Sequence, residues 1–261
     1  MRRFMKTLLW VLVLVLGIGV SVAGQSVRAE TIKMAWFVLP PHMYPDEGSG
    51  QPRGAGIAYF EAVAAKMGYT VEWVGPFPLN RFADTVHNAR DGVVGQLFGV
   101  RFPMYEPYLH FTDVPFYEMQ ASLAVRQDNP LTAIYTIDDI AGYRIGFTSG
   151  AGGYTPFLEA HRDQLHFEEL FGDDWMARNL RMLADDRVDA VFDRNAHALP
   201  FAAAQLKLDT QIKILPLPDE PIGAYVAFSK AAPQHDRLVE EYNAAVKDID
   251  FSYDDFLAKE F

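Results

Sequence analysis

Short apolar segments typical of strands alternate with helix-like segments along the chain, and this alternation restricts the fold more than any other feature. The β-rich run Thr31 to Val38 stops at Pro40-Pro41, because proline can continue neither a strand ladder nor a helix. Apolar residues then recur at helical spacing until Gly68, a residue typical of helix C-caps. The next segments predicted are a strand over 70–74, a helix over 80–89 and a strand over 92–97. A βαβαβ order favours a parallel sheet covered by helices, with ligand groups beyond the carboxyl ends of the strands.

The alternation breaks after a strand predicted over 121–125 and resumes in the second half of the chain. The segments predicted there are strands over 143–147, 188–192 and 224–228, and helices over 155–161, 175–184 and 236–246. A chain that leaves its first half near Ala121 and returns near Ala224 predicts an α/β fold of two lobes, each a mostly parallel sheet flanked by helices, joined by a two-strand hinge. We expect the first lobe to comprise residues 30–123 and 222–261, with 251–261 packed on it, and the second to comprise 124–221.

The N-terminus has the pattern of a secretory signal peptide. A basic start, Met1 to Lys6, precedes the uncharged apolar run Leu8 to Val22, and small residues flank Arg28 in Val27-Arg28-Ala29. We expect residues 1–29 to be removed and the protein to be free in the periplasm. An uncleaved membrane anchor is the alternative, because the apolar run is just long enough to cross a bilayer.

The composition excludes several classes of protein. The chain has no cysteine, so disulfides, thiolate metal sites and thiol catalysis are excluded. With 34 acidic and 23 basic residues, its surface repels nucleic acid and anionic lipid. His161 and His166 are five positions apart, which gives no shared helix face for a metal, and no P-loop or Gly-x-Ser-x-Gly motif is present. We therefore expect no metal site, no cofactor and no enzymatic activity.

Four landmarks, in their order and spacing, carry a resemblance to a known family. They are Pro40-Pro41, Phe111-Thr112-Asp113-Val114-Pro115-Phe116-Tyr117, Ile137-Asp138-Asp139-Ile140-Ala141-Gly142 and Arg187-Val188-Asp189-Ala190-Val191-Phe192-Asp193. Together they resemble the family 3 extracellular solute-binding proteins, which have the type II periplasmic binding fold and usually serve polar amino-acid ABC importers. The resemblance covers nearly all of the chain after residue 29.

The resemblance implies two charged contacts with the ligand. In the family, an acid at the position of Asp193 receives the ligand's ammonium group; the alternative is that Asp193 caps a helix beginning near Ala196. The family's carboxylate-binding arginine position holds Tyr105 here. Arg101, four residues earlier, reaches the cleft only if the local register shifts, and otherwise it is a solvated loop residue.

Further candidates for ligand contact come from a glycine turn and from aromatic residues. The family's hydroxyl-bearing turn is replaced by Gly150, Ala151 and Gly152, whose backbone can hold a polar group at a helix N-terminus, with Thr148 and Ser149 beside it. The alternative is a plain tight turn. The aromatic candidates, which suit an amine or an apolar ligand but also suit the core, are Trp36, Phe37 and Phe98.

The resemblance and these residues predict a monomeric protein that captures a small polar or amine-bearing ligand, an amino acid or a derivative, by hinge closure. It would deliver that ligand to an ABC importer, with a membrane permease or sensor as partner. Two alternatives stay open. One is a ligand-sensing module for a membrane receptor. The other is an enzyme similar to cyclohexadienyl dehydratases, for which Glu118, Asp193 and His42 are the candidate proton donors.

Overall fold

The structure is a computed structural model that describes residues 29–148, 153–171 and 174–261. The predicted signal peptide, apart from its last residue, lies outside the described residues, as do the candidates Ser149, Gly150, Ala151 and Gly152. Within the described ranges, no helix is both long enough and apolar enough to cross a membrane.

The described part of the chain alternates strands and helices in both halves, as predicted. The strands are β1 Glu30–Ala35, β2 Tyr44–Pro45, β3 Pro52–Arg53, β4 Tyr69–Val74, β5 Val93–Gly99, β6 Leu109–Phe111, β7 Tyr117–Met119, β8 Ser122–Arg126, β9 Arg144–Phe147, β10 His166–Glu169, β11 Ala190–Asp193, β12 Ile212–Pro216 and β13 Ile222–Ser229. The α-helices are α1 Ala55–Met67, α2 Leu79–His87, α3 Pro156–Ala160, α4 Trp175–Ala184, α5 Ala198–Gln205, α6 His235–Ala245 and α7 Tyr253–Leu257.

Two separate sheets form the centres of two lobes. The sheet of the first lobe has the order β4-β1-β5-β13-β6, with β7 also pairing β13; β4, β1 and β5 are parallel, and β13 is antiparallel to its neighbours. The sheet of the second lobe has the order β10-β9-β11-β8-β12, in which β10, β9 and β11 are parallel and β8 is antiparallel to both of its neighbours, β11 and β12. The predicted two-lobed α/β fold with mostly parallel sheets is confirmed.

The chain crosses between the sheets twice, and the two crossings lie side by side. On the first-lobe side, Met119 of β7 is opposite Ile222 of β13, and on the second-lobe side Ser122 of β8 is opposite Pro216 of β12. Between these pairs, the Leu217 N–H donates to the Ala121 carbonyl at 2.9 Å. The crossings therefore form one antiparallel ribbon, which is the geometry of a two-strand hinge.

Strand β8 is buried on both faces, and this explains why its sequence is a continuous apolar run. Leu123 and Val125 pack with Ile145 in one core cluster, whereas Ala124 packs with Leu180 in the cluster on the opposite face. A strand with cores on both sides has no polar alternation.

The C-terminal segment contacts both lobes. Tyr253 and Leu257 of α7 are buried in the first lobe's core, where α7 packs against α1. Beyond α7, the Phe261 ring lies 6.2 Å from the rings of Phe201 and of His197 in the second lobe. The last residues therefore bridge the two lobes as well as packing on the first.

Strand β1 ends earlier than predicted. The sequence pattern favours a strand to Val38, but β1 ends at Ala35, and the last sheet-like hydrogen bond runs from Trp36 N to Val74 O. The chain then turns, and Leu39 bonds to Met43 instead of continuing the ladder. This turn carries His42 into the interior, where its side chain is fully buried.

Gly54 is the residue that allows this turn to pack against the start of α1. Its φ of 117° and ψ of 170° lie in a region that is essentially restricted to glycine, and a Cβ atom there would stand 2.6 Å from the His42 carbonyl oxygen. Only glycine therefore fits at position 54.

We predict that Gly54→Ala destabilises the protein by at least about 2 kcal/mol more than Gly50→Ala, because it adds a backbone clash to the strain. Gly50 is the matched control: its φ is 68°, and a Cβ there meets no atom within 4 Å. The free energy of unfolding in urea would be measured for both variants. Equal losses would contradict this account of the turn.

Candidate functional site

Asp193 is the last residue of β11, at the carboxyl end of a parallel strand, and pairs with Ser122 of β8. Its carboxyl oxygen Oδ1 accepts a hydrogen bond from Asn195 N at 2.7 Å. Helix α5 begins at Ala198, with His197 at the N-cap and no side-chain capping bond. Asp193 therefore closes a tight turn after the strand. It does not cap helix α5, because that helix begins only at Ala198.

The Asp193 carboxyl group is buried, although the residue as a whole keeps partial solvent exposure. Burial raises its pKa to about 7, although the Asn195 N–H and the Arg194 charge act in the opposite direction. The guanidinium group of Arg194 donates instead to the carbonyls of Gly153 and Tyr154. Among the described residues, no salt bridge to Asp193 is formed, so this carboxyl lacks a cationic partner.

Asn195 connects the second lobe to the first. Its side chain is buried; Oδ1 accepts hydrogen bonds from His197 N and from the Tyr117 hydroxyl, both at 3.1 Å, and Nδ2 contacts His42 Nε2. The backbone N–H of His197 can only donate, so the atom facing it must be the amide oxygen. Nδ2 is then a donor, and His42 Nε2 must be its acceptor.

His42 is neutral and makes two hydrogen bonds. Because Nε2 accepts from Asn195, the ring proton is on Nδ1, which donates to the Tyr253 hydroxyl. Burial lowers the pKa of His42 to about 3, and the nearby His197 adds to this shift. We call the group His42, Tyr117, Asn195, His197 and Tyr253 the interlobe network. The Tyr117 hydroxyl and His197 Nδ1, 2.6 Å apart, complete it.

Aromatic rings surround His42 on the first-lobe side. The ring centroids of Phe98, Tyr117 and Tyr253 lie 4.7, 5.0 and 5.8 Å from that of His42. Phe98 has a φ of 56°, which is unusual for a bulky residue and carries backbone strain. Phe98 is one of the predicted contact residues, and this conformation holds its ring against the interlobe network.

The other two aromatic candidates lie in or beside the first lobe's core. Trp36 is 1% exposed, and its indole N–H has no hydrogen-bond partner among the described residues. Phe37 is partly buried and packs edge-to-face on Phe82 at 4.8 Å. All the described contacts of Trp36 and Phe37 are therefore within the first lobe, and none of them is with Asp193.

Arg101 and Tyr105 lie on the connection between β5 and β6. The Arg101 guanidinium stacks over the rings of Tyr225 at 4.5 Å and Phe111 at 5.7 Å, and it donates to the Thr112 carbonyl. Tyr105 is partly buried against α2, 5.9 Å from the His87 ring. Arg101 is exposed, and its described contacts hold it on the first lobe.

Thr148 follows β9 and is buried in the second lobe. It is the part of the predicted glycine turn that the structure describes. Its neighbour Phe147 is 1% exposed and packs against Tyr154 and Phe167, so that ring belongs to the second lobe's core.

Sequence reasoning missed most of the interlobe network. The sequence indicates His42 only as a candidate proton donor, and it does not single out Asn195, His197 or Tyr253. The order Asp193-Arg194-Asn195-Ala196-His197, with polar side chains at alternate positions after a strand, was a local signal for a hydrogen-bonded turn. Nothing local indicates that Asn195 would meet His42, 153 positions away.

The two sheets, the paired crossings and the acid at the end of β11 define a two-lobed type II periplasmic binding-protein fold. Solved structures confirm this fold. An ancestral cationic amino acid solute-binding protein aligns with a TM-score of 0.68 at 19% identity, over 88% of this chain and 95% of its own. The substrate-binding protein of an amino acid ABC transporter aligns at 0.62 and 21% identity, over 88% and 99%. The periplasmic VFT2 domain of Bordetella pertussis BvgS aligns at 0.65 and 17% identity, over 88% and 91%.

The resemblance to family 3 solute-binding proteins is thus confirmed in the fold. No family model matches the chain, and no curated protein sequence matches it. At 17–21% identity, the structural likenesses describe the architecture and leave the ligand to be inferred from the site.

We predict that Asp193→Asn stabilises the protein at pH 8 but not at pH 4. The pKa of Asp193 is about 7 in the folded protein, above its ordinary value of 3.8. Between these values the folded state binds more protons than the unfolded state, so this carboxyl lowers stability as pH rises from about 4 to 7. The amide removes that cost without changing the shape.

Melting temperatures of the wild type and Asp193→Asn would be measured in steps from pH 4 to pH 8. Asp209→Asn, which changes an exposed acid of the same lobe, is the control and is expected to show no such pH-dependent difference. A gap between Asp193→Asn and wild type that stays constant across the range would contradict the raised pKa.

Proposed function

We propose that the protein is a periplasmic solute-binding protein that captures a small amine-bearing ligand, an amino acid or a derivative, between its lobes and delivers it to an ABC importer. The observation that carries the proposal is the Asp193 carboxyl: it stands at the carboxyl end of β11, buried and without a salt bridge among the described residues. An ammonium group supplies that missing charge. The amino-acid-binding proteins among the similar structures support the same ligand class.

Binding of an ammonium group would change the protonation of Asp193. A charge-assisted hydrogen bond favours the carboxylate and brings its pKa down from about 7. A ligand that arrives near neutral pH as a cation would therefore displace a proton from Asp193. The group that is costly in the ligand-free protein becomes the group that recognises the ligand.

Hinge closure would couple this recognition to a change of shape. The ribbon formed by the two crossings is the hinge, and the interlobe network joins the two sides at Asn195. A ligand that binds between the lobes shifts the balance towards the closed arrangement. In this proposal the lobes keep the boundaries 30–123 with 222–261, and 124–221, and the protein acts as a monomer recognised by a membrane permease.

The described contacts of Arg101 and Tyr105 are the reason that the proposal centres on the amine end of the ligand. Arg101 is engaged by Tyr225 and the Thr112 carbonyl, and Tyr105 packs on α2. Phe98 and Tyr117 offer aromatic faces on the same side of the network as His42, and such faces attract cations. Thr148 and the turn 149–152 remain candidates for the rest of the ligand.

A sensing role for a membrane receptor is the second candidate, and the likeness to the BvgS periplasmic domain favours it. The enzymatic alternative has less support. His42 is neutral near pH 7 with its one N–H bonded to Tyr253, and Glu118 is exposed on β7, so Asp193, with a pKa of about 7, is the one candidate proton donor that remains. Turnover of prephenate or arogenate by the purified protein would replace the binding proposal with the enzymatic one.

We predict that Asp193→Asn weakens binding of an amine ligand at least about 30-fold, since a charged partner is replaced by a neutral one. A thermal-shift screen against amino acids, polyamines, betaines and aromatic acids would identify the ligand, and calorimetry would measure its affinity for wild type, Asp193→Asn and the control Asp209→Asn. Unchanged affinity in Asp193→Asn would remove Asp193 from the site.

We predict that Asn195→Ala shifts the ligand-free protein towards an open arrangement. The substitution leaves His42 Nε2 and the Tyr117 hydroxyl without their partner, and water can satisfy both groups once the lobes separate. Small-angle scattering should give a larger radius of gyration for Asn195→Ala than for wild type and for Gln164→Ala, an exposed second-lobe control. Identical scattering curves would contradict a closing role for the network.

A further inference from the structure

Three side chains meet at the edge of the first lobe, in a place distinct from the interlobe network. His110 lies on the edge strand β6, and His235 and Asp236 are the first two residues of α6. The distances to Asp236 Oδ1 are 2.9 Å from His110 Nδ1 and 3.0 Å from His235 Nδ1, and the two nitrogens are 3.3 Å apart. In the part of the chain that the structure describes, it is the one group of three such side chains close enough to share a metal ion.

The spacing of the two imidazole nitrogens is that of two ligands around a common ion. Tetrahedral zinc, with Zn–N distances of about 2.0–2.1 Å, holds two imidazole nitrogens about 3.3 Å apart. Hydrogen bonds alone explain the close approach of these two nitrogens and the Asp236 oxygen less well. Two N–H groups that both donate to the same oxygen point their protons into one small space, and a deprotonated Nδ1 would face the carboxylate with lone pairs on both sides.

The fold brings these residues together and holds them there. His110 is opposite Phe228 in the pairing of β6 with β13, and the chain after β13 turns back through 230–234, where His235 N donates to Ala232 O at 3.1 Å. Helix α6 is anchored on the same face by Leu238, which is fully buried. The ligand positions thus come from two elements fixed by the first lobe's core.

The group is also accessible to an ion from solution. The side chains of His110, His235 and Asp236 are 39%, 21% and 73% exposed, respectively. Three protein ligands on one side leave a fourth position open to water, as in three-ligand zinc sites. Imidazole nitrogen with a single carboxylate oxygen favours zinc and other late transition metals over magnesium or calcium.

We propose that His110, His235 and Asp236 form a zinc-class metal site that ties the edge strand β6 to the start of α6. The sequence, in contrast, predicts that the chain has no metal site. That expectation considered neighbouring histidines, whereas His110 and His235 are 125 positions apart. The proposal is independent of the ligand-binding function, because none of the three residues contributes to the interlobe network or to Asp193.

Zinc binding by the purified chain, prepared without a polyhistidine tag and stripped with chelator, tests the proposal. We expect calorimetry with zinc chloride to give one site per chain and zinc to raise the melting temperature, as a ligand of the folded state does. Cobalt(II) should give the visible absorption of a four-coordinate nitrogen and oxygen site, and magnesium should produce neither effect.

The variants His110→Gln, His235→Gln and Asp236→Asn are each expected to weaken zinc binding at least 10-fold and to remove most of the melting-temperature shift. His166→Gln, which changes an exposed histidine of the second lobe, is expected to bind like wild type. Asp236 is largely exposed, so Asp236→Asn keeps the test valid if a histidine variant folds poorly. No binding by wild type, or equal binding by wild type and all three variants, would overturn the proposal.

Discussion

The contact between Asn195 and the first lobe is the interaction on which the arrangement of the two lobes depends. The amide oxygen is held by the backbone of its own turn at His197, and this fixes which way the remaining hydrogen bonds run. Because the amide nitrogen must then donate, His42 must be neutral with its proton directed at Tyr253. One short turn after β11 thus sets the protonation state of a buried side chain in the opposite lobe, and it does so with every polar atom of Asn195 in use.

Asp193, two residues earlier, differs from Asn195 in that groups of the protein do not fully satisfy its side chain. Asn195 is satisfied within the protein, whereas the buried Asp193 carboxyl has only a backbone N–H and the charge of Arg194 in its favour. Such an imbalance is common at functional sites, where a residue is poised for a partner that the protein itself does not supply. In the proposed function, Asn195 therefore holds the two lobes together, and Asp193, in the same turn, binds the ammonium group of the ligand.

The sequence predicted the features that depend on local pattern. Apolar runs bounded by glycine and proline located most strands, Gly68 marked the end of α1, and the change of rhythm near Ala121 anticipated the first crossing. The family resemblance pointed to Asp193 as the acid at the end of β11. Side-chain hydrogen bonds across the lobes leave no such trace: the partners of His42 lie 153 and 211 positions away. The end of β1 was also placed too late, since Trp36 to Val38 look like strand residues, and only tertiary packing turns them away.

The ribbon made by the two crossings also limits how chains with this architecture can change in length. The two crossings are unequal in length, because two residues lie between Met119 and Ser122 whereas five lie between Pro216 and Ile222. Inside a paired strand, a single inserted residue would turn every following side chain to the wrong face. The unpaired part of the second crossing and the surface loops are therefore the places where the length can change, while the strands on both sides of the crossings, almost a hundred residues apart in the chain, keep their register.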